Sequence, residues 1–198
     1  MSGCSNTVNF PEEILDIIFS YLELKDLRNC ALVCRKWYKR LLSENSYLWL
    51  IQCHKVLPSG VLSSDILSSV KSYKSKVKAF AHSWNGNDCS KHIFLKSDGF
   101  TLYRNPIAQS TDAIRGKIGF QYGRHAWEIK WESPLGTVAA IGVATREASL
   151  QCSGYVTLIG SNTFSWGWNL VENNLVHNGN FCGIYPLLAN APKYEVII

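Results

Sequence analysis

The chain has 198 residues, 46% of them hydrophobic and 18% charged, with a net charge of +5. That is long enough for one or two domains whose core needs neither disulfides nor metal to hold it. Seven cysteines, at 4, 30, 34, 53, 89, 152 and 182, form no C-x-x-C pair and read as reduced thiols of cytosol or nucleus, and neither a secretory signal pattern nor a membrane-length apolar run occurs.

The first predicted element is a helix opening at Pro11, a residue that suits the first helical position, with Glu12 and Glu13 at the positive end of the dipole. It is expected to end near Leu22. Ile14, Ile17, Ile18, Tyr21 and Leu22 recur at helical spacing on one face, and Leu15 and Phe19 form a ridge beside it, a stripe wider than a surface helix carries. Asp26 is the expected cap of a second helix bearing Leu27, Cys30, Ala31 and Cys34. A third helix bears Cys34, Trp37, Tyr38 and Leu41, and Trp49 closes the bundle. Three such short helices hold more apolar surface than they can bury on themselves, which implies a partner.

Phe10-Pro11, the Ile-rich run from Ile14 to Leu22, Val33-Cys34-Arg35-Lys36-Trp37 and Leu48-Trp49 follow one another in the order of an F-box, and the segment resembles that motif, with Phe10 where Leu is usual. The resemblance implies docking onto the adaptor Skp1, through Phe10, Pro11, Ile14, Leu15, Ile18, Leu22, Leu24, Val33, Cys34, Trp37, Tyr38 and Trp49. The plainer reading of the same residues is the core of an ordinary helical hairpin.

Residues 53–82 read as a helical connector, broken at Leu57-Pro58-Ser59-Gly60, with Asp65 as a cap. Lys71, Lys74, Lys76 and Lys78 alternate with Val70, Tyr73, Val77 and Phe80, the pattern of a helix with one solvated basic face. No nucleic acid partner is expected.

From His82 short β runs take over. Ile93-Phe94-Leu95 and Phe100 to Tyr103 flank Ser97-Asp98-Gly99, a tight hairpin turn. Further strands are expected at Ala126 to Trp131, Thr137 to Ala144, Gly154 to Ile159, Trp166-Gly167-Trp168 and Leu175-Val176-His177. Even spacing of this kind argues for an antiparallel sandwich, and with the helices it gives an α+β class. The expected domains are residues 8–52, 53–82 and 83–198.

Gly123-Arg124-His125-Ala126-Trp127-Glu128, Ile141-Gly142-Val143-Ala144, Gly160-Ser161 and Ser165-Trp166-Gly167-Trp168 resemble the strand signatures of a SPRY (B30.2-like) domain. An F-box joined to such a domain resembles the F-box/SPRY family of the synaptic F-box only type, from Phe10 to Tyr194. The resemblance implies a substrate-recognition adaptor of an E3 ubiquitin ligase complex, partnered by Skp1 and a large RING ligase of the Highwire type. It also implies proteasomal degradation of the substrate and a setting in neurogenesis, at cytoplasmic, synaptic or nuclear sites.

Tyr103 to Asp112 is similar to a loop of SOCS-box SPRY proteins that holds a short Asn-containing peptide. Carried over by position, Arg104, Pro106 and Ala108 line that pocket with Tyr155 opposite, where Arg supplies planar donors, Pro stiffness and Tyr an apolar face with a polar tip. The alternative is that Arg104 pairs locally and Tyr155 is core.

A family SPRY domain continues beyond Tyr194 into further strands, whereas this sequence ends at Glu195-Val196-Ile197-Ile198. The expectation is a sandwich lacking its closing strands, with those last residues beginning an unpaired one. Neither a Gly-rich phosphate loop nor H-E-x-x-H nor a paired-carboxylate constellation occurs, so no catalytic residue, cofactor or metal is expected. Two rival readings stand beside the adaptor: a non-degradative interaction scaffold, and a competitor that binds Skp1 without substrate.

Overall fold

The computed structural model describes residues 10–186 and 195–197, and the expected continuation through Ala191-Pro192-Lys193-Tyr194 lies outside the described residues. The chain divides into two compact units. One runs to Ser83 and includes Lys96–Thr101; the other holds Trp84–Leu95 and everything from Leu102 onward. Helices followed by antiparallel strands make the α+β class expected.

The first unit is built from α1 (Glu12–Ser20), α2 (Leu24–Cys30), α3 (Arg35–Leu42), α4 (Tyr47–Val56) and α5 (Tyr73–Ala81), with short 3-10 turns at Val61–Ser63 and Asp65–Leu67. Pro11 sits one position earlier than expected, at the N-cap, where extended backbone lets its carbonyl accept from Leu15 N at 3.1 Å. The helix ends at Ser20, short of Leu22, because Tyr21 and Leu22 turn back onto the carbonyls of Ile18 and Phe19. Asp26 is not the cap of α2. Glu23 holds that place, its carbonyl accepting from Asp26 and Leu27, and Asp26 lies inside the first turn, where its charge suits the dipole. Cys34 belongs to neither helix: it is the extended N-cap residue of α3. Asp65 begins its 3-10 turn, and Ser64 takes the cap position.

Residues expected as F-box and residues expected as connector share one core: Leu15, Phe19, Leu27, Leu41, Leu48, Trp49, Cys53, Leu57, Val61, Leu67 and Val77 are buried together. Phe19 and Trp37 meet edge to face at 5.1 Å. Ser72 caps α5 by accepting from Ser75 N at 3.1 Å. Along α5, Val77 is buried and Tyr73 and Phe80 pack beside it. The basic face is only partly solvated, since Lys74 and Lys76 donate to Leu41 O at 2.9 Å and Leu67 O at 2.8 Å. The hairpin tip belongs to this unit. Asp98 accepts from the backbone of Phe100 and Thr101 at 2.7 Å each, and Gly99 has φ +77°, with Phe80 2.9 Å from where a Cβ would lie.

The second unit comprises β1 (Trp84–Cys89), β2 (Ile93–Leu95), β3 (Leu102–Arg104), β4 (Ser110–Asp112), β5 (Ile114–Gly116), β6 (Glu128–Lys130), β7 (Ala140–Ala144), β8 (Gln151–Ser153), β9 (Ser165–Asn169), β10 (Asn174–His177), β11 (Asn180–Ile184) and β12 (Glu195–Ile197). All pairings are antiparallel: a four-stranded sheet in the order β11-β10-β9-β7, and the pairs β1-β5, β2-β3, β4-β8 and β6-β12. Gly154 to Ile159 is not a strand. The strand is β8, just before it, and Gly154 at φ +87° turns the chain away. The last described residues are not an unpaired strand either, because Val196 lies opposite Ile129 in the β12-β6 pair.

Ala139, Ile141 and Leu170 are buried here, with Ile129, Trp131, Leu135 and Trp168 packed against them. On the same sheet face Trp166 stacks flat on His177 at 4.5 Å yet remains 47% exposed. Gly167 between the two tryptophans permits a close approach, since a Cβ there would meet Ile159 O at 2.4 Å.

Candidate docking faces

Helix α1 sorts its stripe cleanly. Leu15 and Phe19 point into the core, while Ile14, Ile17, Ile18 and Tyr21 face outward, Tyr21 being 81% exposed. Phe10, Leu32, Val33 and Tyr38 add exposed apolar area, and Pro11 and Cys34 are exposed too. Leu22, Leu24 and Trp37 are half-buried. Leu15 and Trp49 are core residues that support this surface from beneath, Trp49 lying under the Lys74 ammonium at 5.4 Å from its ring centre. Leu32 was not foreseen as part of the face; the signal is an apolar pair, Leu32-Val33, between two helices with no helical period to place it inside.

Charge fixes the helices behind the face. Asp16, 1% exposed, receives Arg40 Nε at 2.7 Å and Nη2 at 2.5 Å, and Arg40 Nη1 reaches Glu12 at 2.8 Å. The hydrogen bond to Asp16 outweighs burial and raises the Arg40 guanidinium further above its usual range. Leu48 N–H also donates to Asp16 at 3.4 Å, so one carboxylate ties α1, α3 and α4 together. Lys36 Nζ donates to Phe10 O at 2.6 Å and sets where the chain enters. Sequence reading missed this network, although an Asp within an apolar stripe was its trace.

In the second unit β3 ends at Arg104 and β4 begins at Ser110, with the expected peptide loop between. Arg104 turns back on that loop: Nε donates to Asp112 Oδ2 at 2.6 Å, and Nη2 donates to Ile107 O at 2.8 Å and Ser110 O at 2.7 Å. The Asp112 side chain is fully buried, and Ser90, Ser110 and His92 Nδ1 crowd its other oxygen. Burial pushes its carboxyl up, yet hydrogen bonds from Ser90, Arg104 and Ser110 and the Arg104 charge together hold it below the usual carboxylate range.

Pro106, Ile107 and Ala108 are left exposed by this clamp. Tyr155 follows β8, in whose register with β4 Ser110 faces Ser153, and the preceding Gly154 N donates to Gln109 O at 2.8 Å. At 49% exposure Tyr155 is not core, while Arg104 does pair locally. Arg104, Pro106 and Ala108 thus share one loop, shaped by the guanidinium, and Tyr155 lies two residues beyond Ser153, the partner of Ser110.

The helical unit thus carries an outward apolar face, and the β unit an exposed loop braced by Arg104. The F-box-like family model matches residues 8–54, the segment that carries that face. The F-box/SPRY domain-containing protein 1 of Culex quinquefasciatus is 58% identical over 188 residues, covering 95% of this chain and 73% of that protein. Its counterparts of the same name in Anopheles gambiae and Drosophila melanogaster are 56% and 60% identical, covering 95% and 92% of this chain and 73% and 72% of those proteins. The chain belongs to the F-box/SPRY domain-containing protein family. Membership points to an F-box adaptor of ubiquitin ligase complexes, a class of substrate-adaptor subunits rather than catalytic ones. Among the described residues no helix is long and apolar enough to cross a membrane, and no group of three or more His, Cys, Asp or Glu is placed to hold a metal.

Proposed function

We propose that the protein is the substrate-recognition adaptor of an E3 ubiquitin ligase complex, that the face of α1 to α3 docks Skp1, and that the second unit holds a substrate or the ligase scaffold. The observation that carries this is the outward set Ile14, Ile17, Ile18, Tyr21 and Val33, kept in place by the Asp16–Arg40 pair without being covered. Contiguous apolar area of this kind marks an interaction site, and a helix face braced from behind loses little freedom on binding. The mechanism is positional: holding a substrate near a RING subunit raises the effective concentration of its lysines toward charged ubiquitin.

The proposed peptide edge is Pro106, Ala108 and Tyr155, with Arg104 holding the loop. By family resemblance the scaffold is a large RING ligase of the Highwire type, and the setting is synaptic, with proteasomal degradation as the outcome. The test is capture of purified Skp1 by the chain and by Ile14→Asp/Ile18→Asp, both exposed positions that leave the core intact. Capture lost with unchanged circular dichroism supports the reading; undiminished capture overturns it. Capture without any change in a substrate's half-life favours a non-degradative scaffold.

A further inference from the structure

The first unit has a second exposed feature, which shares no residue with the apolar face of α1 to α3. Alongside α4 and α5 lies an open groove of about 630 Å³, lined by Leu50 and Leu62 together with Asn45, His54, Lys71, Tyr73 and Lys76. The volume suits a few side chains of a bound segment. His54 and Lys71 are exposed, and Lys76 is held at the groove by its bond to Leu67 O.

The surrounding charge is one-sided. From residue 45 to residue 83 there are five lysines, at 55, 71, 74, 76 and 78, against Asp65 alone. Glu44, next in the chain to the lining residue Asn45, is already paired: it accepts from Ser72 at 2.6 Å and faces Lys74 Nζ at 3.6 Å. Asp65 does not line the groove. Cations at the groove with no carboxylate among its lining residues, and leucines beside them, make a surface complementary to an acidic chain that carries an apolar side chain.

We propose that this groove binds an acidic segment of a partner protein, its carboxylates on Lys71 and Lys76 and an apolar side chain on Leu50 and Leu62. A nucleic acid fits less well. Phosphate-driven affinity grows with the number of cations that track a backbone, roughly six to ten in strong cases, and this groove offers two lysines and one histidine beside apolar area.

The test is fluorescence anisotropy of the full chain with a labelled peptide rich in Asp and Glu around one central Leu. The comparisons are the peptide with Ser for Leu, and oligothymidylate of equal charge. Lys71→Glu and Lys78→Glu change the net charge equally, and both positions are exposed, but only Lys71 lines the groove. The expected result is an affinity loss of about ten-fold for Lys71→Glu and no more than about two-fold for Lys78→Glu, with the Leu-to-Ser peptide several-fold weaker. Lys71→Ala, with a loss of about three-fold, gives the same ranking should the reversal disturb folding. Equal losses for the two reversals, no peptide binding, or tighter binding of the oligonucleotide than of the peptide overturns the proposal.

Discussion

Asp16 and Arg40 form a two-pronged ion pair between α1 and α3, with Nε to Oδ1 at 2.7 Å and Nη2 to Oδ2 at 2.5 Å, and the carboxylate has almost no contact with water. Such a pair is costly to break from one side, because the remaining charge stays buried without a counter-ion. Arg40→Met is therefore expected to destabilise the helical unit by about 3–5 kcal/mol, and Asp16→Leu/Arg40→Met to recover most of that loss. Urea unfolding followed by far-UV circular dichroism measures both. Equal destabilisation by the single and double variants would show that the pair itself, rather than an orphaned charge, is what matters.

Beside that pair, α1 gives two opposite expectations for neighbouring residues. Phe19 is fully buried against Trp37, so Phe19→Ala is expected to cost about 3–5 kcal/mol through the cavity it leaves. Ile18, one residue away, faces outward, and Ile18→Ser should change stability by less than about 0.5 kcal/mol while weakening any partner held on the face. Thermal unfolding of the free protein, set beside Skp1 capture, separates the two roles.

This division of α1 was legible because helical spacing alone sets Leu15 and Phe19 against Ile14 and Ile18. The change from helices to strands was legible too, and Ile93–Leu95, Ala140–Ala144, Ser165–Asn169 and Asn174–His177 formed where alternation or turn signals stood, whereas β1, β4, β5, β8 and β11 are three- to six-residue strands with no such run of their own. What could not be read were relations that depend on distant chain: Asp16 meeting Arg40 across 24 positions, or Glu195–Ile197 finding β6. Caps shifted by a few residues because Glu23 and Cys34 serve through backbone geometry, which a search for capping side chains does not detect. Arg104 is likewise committed to partners that its residue type does not reveal. Its donors meet Asp112 and two loop carbonyls, so it braces the loop between β3 and β4.

That clamp has a pH signature. The Asp112 carboxyl is held below its ordinary value in the folded protein, so the unfolded chain binds the proton more readily and stability rises with pH across that interval. The contribution is complete above the unfolded value, about 3.9, and is lost as pH falls through the lower folded one. Asp88, paired with Arg115 at 2.8 Å, adds to the same acid window with the same sign. Asp112→Asn is expected to lower stability at neutral pH and to flatten the slope of melting temperature against pH below about 4. Scanning fluorimetry across acid pH reads this directly, and an unchanged slope would deny Asp112 its part.

Gly167 offers the sharpest test of the second unit on its own. It lies in β9 between Trp166 and Trp168, and an added Cβ would stand 2.4 Å from Ile159 O, a backbone atom that cannot swing aside as a side chain could. Gly167→Ala must therefore displace either β9 or the turn at Ile159, and β9 is bonded on both sides, to β7 and to β10. The expected outcome is a loss of several kcal/mol in that unit, in line with overpacking at a site where only backbone can yield. Limited proteolysis with mass spectrometry is the measurement: new cuts beyond residue 102 should appear in the variant, while α1 to α5, whose core shares no residue with the second unit's, keeps its resistance. Cuts spread evenly through both units would mean that the helices depend on the sheet for their stability.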